Sequence, residues 1–393
     1  MIAWPTVALK DCVRVVGGAT PKSGVAEFWD GDVPWTTPKD LSDLSGKFLS
    51  DTPRKITASG LKGCSAELLP PNSVLFSSRA PIGHVAINTV PMATNQGFKS
   101  MVPGPRIDAS YLYWWLKSNR AQLELLGNGA TFKEVSKAIV ERIEIPLPPL
   151  VEQKRIAAIL DQADDLRRKR QRTIERLNQL GQSIFHEMFG DAVTNPMGWK
   201  TALLGDIVRS GDKINYGVVQ PGEEVEVGIP LVRVGDLLSG YIDPRKVKQI
   251  DPDIEANYKR SRLAGDEILI GCVGSIGTVA LAHEGLRGAN IARAVARVPV
   301  DTNVATREFV AEQIKSPAVQ NYFAAETRTV AQPTLNIGLI VSAPIILPPI
   351  SDQRKFADRN SVVRETLVSL IKHAAKQDAL LSSLQHRAFL GEL

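Results

Sequence analysis

The sequence predicts an α+β protein: two repeated mixed globular regions separated by two long helices that form an antiparallel coiled coil. Three observations carry this expectation. From Glu152 to Phe189 the chain is almost free of helix breakers. Apolar or small residues recur there at Ile156, Ile159, Ala163, Leu166, Thr173, Leu177, Leu180, Ile184 and Met188, mainly at three- and four-residue steps, the stripe of an amphipathic helix close to heptad phase. A second such stretch runs from Asp352 to Leu390, with Phe356, Val363, Leu367, Leu370, Ala374, Gln377, Leu381, Leu384 and Ala388 on its stripe. The third observation is a duplication: what precedes the first long stretch recurs, in the same order, before the second.

The first half opens with a lead-in strand or short helix at Trp4–Val16, then a Gly- and Pro-bearing turn at Gly17–Ser23. Val33-Pro34-Trp35 begins a short segment that ends near Lys39-Asp40-Leu41. A short helix is expected near Thr57–Leu61, a β-rich run at Val74–Phe76, the turn SSRAPIG, and a strand after Asn95-Gln96-Gly97. Tyr111–Leu126 reads as one helix with Leu112, Trp115, Leu116, Leu123 and Leu126 inward, and Ile139–Ile145 as a strand closed by PLPPL. Each part has a partner at an offset of about 194 to 200 residues. Ala3–Val13 is answered by Met197–Val208, Val33-Pro34-Trp35 by Ile229-Pro230-Leu231, and Lys39-Asp40-Leu41 by Gly235-Asp236-Leu237. Pro71–Ile87 is answered by Gly265–Leu281, Asn95-Gln96-Gly97 by Asn290-Ile291-Ala292, and the Tyr111 helix by a helical stretch near Arg307–Phe323. PLPPLVEQKRIA at Pro146–Ala157 is answered by ILPPISDQRKFA at Ile346–Ala357. This is one long duplication, unlike the short units of a solenoid.

The resulting plan is a globular region at 1–150, a helix at 151–190, a globular region at 191–350 and a helix at 351–393. A helix as long as the first would reach about 55 Å at about 1.5 Å per residue. Its Gly181 costs about 1 kcal/mol against alanine. Asn360 and Gln377 fall in the seam phase of the second helix, where polar residues fix register. The seam expected from the pattern comprises Ile156, Ala163, Leu166, Leu177, Leu180 and Ile184 on the first helix. On the second it comprises Phe356, Val363, Leu367, Leu370, Ala374, Leu381 and Leu384. Phe185, Met188 and Phe189 form either a hydrophobic corner between helix and globular region or an exposed partner contact.

Composition bounds the function. The 393 residues are 44% hydrophobic and 23% charged, with a formal net charge of +5, an ordinary folded protein that tolerates an anionic partner. Cys12, Cys64 and Cys272 offer neither a disulfide framework nor zinc spacing. No signal peptide or membrane-spanning run is expected, and the cytoplasm is the default location. No Gly-x4-Gly-Lys-(Ser/Thr) phosphate loop and no adenine-methyltransferase motif occurs. GCVGSIG at Gly271–Gly277 lacks dinucleotide-loop spacing and reads as a glycine-rich turn that brings backbone close to another surface. His84, His186, His283, His373 and His386 have no zinc spacing, and Ser77 and Ser78 beside His84 make a poor case for a nucleophile and base. No metal or catalytic residue is expected.

The two PLPP(L/I)-x-x-Q-(K/R)-(K/R) helix starts, at Pro146–Arg155 and Leu347–Lys355, resemble the DNA specificity subunit of type I restriction-modification systems. So do SIFHEMFGD at Ser183–Asp191, the segments around Trp4 and Trp199, and the Gly-rich segments at Ile82-Gly83 and Ile276-Gly277. The likeness covers nearly the whole chain. Asp352 stands where the first helix start has Glu152, a shortening that keeps the acid. The resemblance implies two target recognition domains, each reading half of a bipartite, asymmetric site on double-stranded DNA. It implies helices that set the half-site spacing and dock two methyltransferase subunits, which modify adenine N6 with S-adenosylmethionine. Restriction subunits using ATP and Mg would join the complex, and this chain would bind no cofactor and catalyse nothing. The alternative is a bivalent structural scaffold for protein partners with nonspecific DNA affinity.

Cations, hydroxyls and planar groups suit phosphate and base contact. In the first half these are Lys39, Arg54, Lys55, Lys62, Ser77, Ser78, Arg79 and Lys133, with Arg79 in the SSRAPIG turn the favoured one. In the second they are Lys213, Tyr216, Arg233, Lys259, Arg260, Arg262, Arg293, Thr327, Arg328 and Thr329. Trp35 is either a stacking residue or a core one. The run Arg167–Arg176 tracks phosphate, faces an acidic partner, or is a solvated face.

Overall fold

The structure is a computed structural model that describes residues 4–79, 81–128, 133–327 and 334–393. It divides into two compact units, Met1–Arg167 with Gln377–Leu393, and Arg168–Lys376. In the first unit a five-stranded sheet runs in the order Val13–Gly17, Lys99–Pro103, Val74–Phe76, Val85–Asn88, Phe48–Leu49. A three-stranded sheet places Trp29–Thr36 between Lys55–Ile56 and Ala93–Thr94, and Thr6–Ala8 pairs antiparallel with Glu144–Pro146. The second unit repeats the plan. A four-stranded sheet runs Asn215–Tyr216, Val295–Val298, Ile268–Gly271, Val279–Leu281. Ile229–Val232 lies between Lys248–Ile250 and Asn290–Ile291, and Lys200–Leu203 pairs with Pro344–Leu347. The parallel pairs Trp35↔Ala93 and Leu231↔Asn290 occupy matching places in the two halves.

Several local expectations need correction. Tyr111–Leu126 is two helices, Ala109–Ser118 and Arg120–Leu125, because Asn119 leaves the helical region at φ −100°, ψ 14°. Leu126 is consequently exposed rather than inward. The second half breaks at the corresponding place through an extended Ser316 (φ −68°, ψ 154°), between Arg307–Lys315 and Pro317–Thr327. Ile139–Ile145 is mostly helix, Lys137–Arg142, capped by Ser136, whose hydroxyl accepts the Ile139 N–H; only Glu144–Pro146 is strand.

The long helices span Leu150–Phe189 and Ile350–Leu390. Each starts on a buried glutamine. Gln153 Nε2 donates to the Pro148 carbonyl (2.8 Å) and the Arg106 carbonyl (3.0 Å), and its Oε1 accepts the Asp108 N–H (2.8 Å). Gln353 repeats the lock on the Pro348 carbonyl (2.9 Å) and the Thr306 N–H (3.0 Å). The Pro148 and Pro348 carbonyls lie between strand end and helix start, outside both hydrogen-bond ladders, and a buried polar group must be satisfied. This is why a glutamine follows PLPP twice. Gln353→Ala should cost about 1–3 kcal/mol by orphaning the Thr306 N–H and the Pro348 carbonyl. Urea melts would read this as a lower midpoint, and an unchanged midpoint would remove the lock from the account.

Within each unit the two helices pack with opposite directions. In the first, Ile156, Ala157 and Leu160 share a core with Leu381, Leu384 and Ala388, and Arg155 donates to the Leu393 carbonyl. In the second, Gly181 meets Asn360 and Glu187 pairs with Arg359 (2.8 Å). A Cβ at Gly181 would stand 3.2 Å from Glu312 Oε1 and 3.4 Å from Asn360 Oδ1, tighter than most Cβ contacts. The mid-helix glycine is a close-approach residue. The seam differs from the expected one at Leu166 and Leu180, which are 62% and 46% exposed. Leu160 and Asp164 are buried instead, because a 3.6-residue helix drifts off a strict heptad stripe. Gln377 is likewise exposed, whereas Asn360 is buried. Phe185 and Phe189 are buried with Phe309, Phe356 and Trp199, which settles the corner: it is interior. No helix among the described residues is long and apolar enough to cross a membrane.

Candidate nucleic-acid interface

The Gly-rich turns are the clearest repeated feature around the candidate residues. In the first half the Ser77 N–H donates to the His84 carbonyl (2.9 Å), Gly83 N–H to Ser77 (3.0 Å) and Val135 N–H to Ser78 (2.9 Å). In the second, Gly271 donates to Thr278 (2.8 Å), Gly277 to Gly271 (2.9 Å) and Leu335 to Cys272 (2.9 Å). Gly83 and Gly277 sit at φ +86° and +76°, the left-handed region open to glycine. The strand bridges Arg79↔Glu134 and Val273↔Thr334 also correspond. One backbone device is built twice, with different side chains upon it.

Several expected contact residues are used up inside it. Ser77 and Ser78 are fully buried; Ser77 donates to the Pro81 carbonyl (2.7 Å) and Ser78 to the Gly97 carbonyl (3.1 Å). They fasten the turn and are out of reach of DNA as it stands. Ser77 meets the backbone N–H of His84, not its imidazole, so no nucleophile–base pair exists there. Thr327 is buried and its hydroxyl donates to the Phe323 carbonyl (2.8 Å). Arg328 and Thr329 lie outside the described residues. Arg79 remains exposed but pairs with Glu134 (2.8 Å), which also takes Lys99 (2.9 Å). Both cations hold the Glu134 carboxyl below the ordinary range against its partial burial. Trp35 is a core residue whose indole donates to the Ala19 carbonyl (3.0 Å), with Arg54 lying 4.1 Å over Trp29 and 5.0 Å over Trp35. Lys55 reaches Asp51 (3.2 Å), while Lys39, Lys62 and Lys133 are exposed.

In the second half, three loops meet at the strand Asn215–Tyr216. Asn215 Nδ2 donates to the Arg260 carbonyl (2.9 Å), the Arg293 N–H donates to Val218 (2.8 Å), and Tyr216 OH donates to the Leu335 carbonyl (2.7 Å). Lys213, Lys259, Arg260 and Arg293 are exposed around this junction. Arg233 is exposed too and pairs with Asp236 (3.5 Å), whose carboxylate caps the Arg233 N–H (2.7 Å). Asp40 caps Thr37 identically (2.7 Å) in the first half.

The turn that carries Lys259 and Arg260 is anchored by Arg262, expected to contact DNA, together with Glu255 and Asn290, which the sequence pattern did not single out as site residues. Glu255 is buried and pairs with Arg262, and its Oε1 also accepts from Asn290 Nδ2 (2.9 Å). Asn290 holds the Tyr258 carbonyl (3.0 Å) and accepts the Ser261 hydroxyl (2.7 Å). Arg262 is thus an anchor of the turn. The only sequence signal was the correspondence of Asn290 with Asn95. The Arg262 guanidinium, against the cost of burial, holds the Glu255 carboxyl below its ordinary 4.5. A carboxyl depressed on folding adds stability above the ordinary value, and that stability is lost as pH falls through the folded value. Thermal melts should therefore show a fall below pH about 4.5 that is smaller in Glu255→Gln; equal acid sensitivity in both would clear Glu255 of this role.

Among the described residues no group of three or more His, Cys, Asp or Glu side chains can hold a metal ion. Burial pushes the Cys12 thiol up to about 11 and the Cys272 thiol up to about 12, away from thiolate chemistry.

A family model described as the type I restriction modification DNA specificity domain matches residues 1–177 and 196–377, one stretch in each repeat. The chain belongs to the type I DNA specificity family. It is 35% identical over 257 residues to the MjaIX specificity subunit of Methanocaldococcus jannaschii, covering 60% of this chain and 59% of that relative. It is 28% identical over 322 residues to the EcoBI specificity subunit of Escherichia coli, covering 75% and 68%. The match thus spans about three fifths of the length of the first relative. A crystal structure of a type I S subunit from M. genitalium shares the fold at a TM-score of 0.58 and 16% identity, over 99% of this chain and 96% of that one.

Proposed function

We propose that residues 1–150 and 191–350 are two target recognition domains, each reading one half of a bipartite, asymmetric site on double-stranded DNA. In this reading the helices at 151–190 and 351–393 set the distance between half-sites and orient two adenine-N6 methyltransferase subunits, with restriction subunits joining the complex. The observation that carries it is the doubled turn: one hydrogen-bonded frame, used twice, presents different exposed side chains. Identical frames with unlike surfaces suit two unlike half-sites. Lys213, Lys259, Arg260 and Arg293 are the proposed contacts in the second half. Lys39, Arg54, Lys55, Lys62, Arg79 and Lys133 are those in the first, with Arg79 leaving Glu134 for phosphate.

Phosphate contacts weaken binding of all sequences when removed, whereas base contacts relax one position. The test is genome-wide adenine-methylation mapping with the modification partner, with and without this chain. Loss of one bipartite motif without the chain is expected. Replacing Met197–Leu347 by the corresponding segment of another such subunit should alter one half-site only. Survival of every motif without the chain, or alteration of both half-sites by the replacement, would overturn the reading.

A further inference from the structure

The duplication provides an internal comparison of one buried position. Helices Ala109–Ser118 and Arg307–Lys315 start at Asp108 and Thr306, whose N–H groups meet the equivalent glutamines. Tyr113 therefore corresponds to Ala311, Trp114 to Glu312 and Lys117 to Lys315. In the first half the Tyr113 ring is buried, with the Lys117 ammonium 5.3 Å and the Lys47 ammonium 6.0 Å from its centre. Lys117 also donates to its phenol oxygen (3.1 Å). Beside it, Trp114 Nε1 and Lys47 both close on Asp161.

The second half has no ring to project from that place. A cavity of about 410 Å³ lies against Ala311 instead, with Val279, Leu281 and Leu367 in its apolar wall. The Tyr241 and His283 rings flank it as a parallel stack, 5.0 Å apart at 4°. Arg307, Lys315, Arg364 and Lys372 also line it. One carboxylate, Glu308, serves both Arg307 (3.0 Å) and Arg364 (3.1 Å), and Glu312 serves Lys315 (3.4 Å). Glu284 is committed to Arg287 (2.5 Å). The Lys372 ammonium stands 4.7 Å over the Tyr241 ring. The wall thus has more cations than carboxylates to meet them, around a space shaped in the other repeat by an aromatic ring.

We propose that this cavity binds a nucleoside monophosphate. The base takes the space that Tyr113 fills in the first half, against the Tyr241–His283 stack, and the phosphate meets the Lys372 and Arg364 cations. A cavity of this size is ample for such a ligand, a phosphate monoester carries about −1.5 to −2 charges at neutral pH, and lysine's long stem lets its ammonium move from ring to phosphate.

Calorimetric titration of the full chain with AMP and UMP tests this. At least one should bind, and adenosine or inorganic phosphate alone should bind at least ~tenfold more weakly, since each keeps half of the recognition. Ala311→Tyr, which transplants the first half's own side chain, should abolish the heat. Lys372→Glu, at an exposed position, should weaken binding at least ~tenfold. Added duplex DNA separates two sources of the same chemistry: displacement of the nucleotide assigns the cavity to a nucleotide turned out of a strand, and no displacement to a free one. No heat with either nucleotide, or heat unchanged in Lys372→Glu, overturns the proposal.

Discussion

Phe309→Ala is expected to destabilise the second unit by about 3–5 kcal/mol, the range for truncating a fully buried phenylalanine. Phe309 has no exposed surface and stands 5.4 Å from Phe185, 4.9 Å from Phe189 and 6.4 Å from Phe356, ring centre to ring centre. These rings come from three elements: the end of the first long helix, the start of the second, and the short helix Arg307–Lys315. Trp199 completes the group, its indole donating to the carbonyl of Phe189 (3.0 Å). Removing Phe309 takes away one packing partner from each of these helices at once. The loss is large beside a typical total stability of about 5–15 kcal/mol. Phe309→Leu keeps most of the volume and should cost less than about 1.5 kcal/mol. Denaturant melts would show the alanine midpoint far below the leucine one. Equal midpoints would mean that the rings merely sit together.

The two long helices and the duplication were legible because they are local or arithmetic signals: a stripe of apolar residues, and the same words in the same order. What failed was what depends on a partner far along the chain. Ser77 and Ser78 look like exposed hydroxyls beside an arginine, yet the carbonyls of Pro81 and Gly97 claim them. Leu112, Leu116, Leu123 and Leu126 keep helical phase on both sides of Asn119, so the polar Asn119-Arg120 step reads as a gap in one stripe; the Asn119 side chain bonds the Trp115 carbonyl (2.8 Å) where the backbone turns. Ile139–Ile145 has β-branched residues that favour a strand, and a Ser136 cap outweighs them. Gln153 and Gln353 were visible as repeated letters, but their purpose, satisfying proline-flanked backbone, needs the fold. Gly181 looked like a weakness in a helix and is the point where Asn360 and Glu312 come close.

The largest functional effect is expected from lengthening both long helices together. Seven residues inserted after Asp165 and seven after Asp378 add about 10 Å of helix at about 1.5 Å per residue and preserve heptad phase. The polar and aromatic fittings within each unit are left intact: the Gln153 and Gln353 locks, the Ile156–Ala388 core and the phenylalanine corner all lie outside the insertions. If the helices set the half-site distance, the methylated motif should keep both half-site sequences and gain roughly three base pairs of spacer, at about 3.4 Å each. Four residues in each helix would instead turn the two halves of the stripe out of phase by roughly 40° at 3.6 residues per turn, and should lower stability before any motif is read. An insertion in one helix alone should do the same, because its seam residues would meet the wrong partners. Methylation mapping reads all three variants. A motif whose spacer is unchanged by the paired seven-residue insertion would show that something other than helix length measures the DNA. Loss of one half-site sequence would show that the insertion had disturbed a reading domain. The distinction holds because spacing and base contact depend on different residues: the helix positions flanking the insertions are none of the proposed DNA contacts, and the exposed cations around Asn215 carry no spacing.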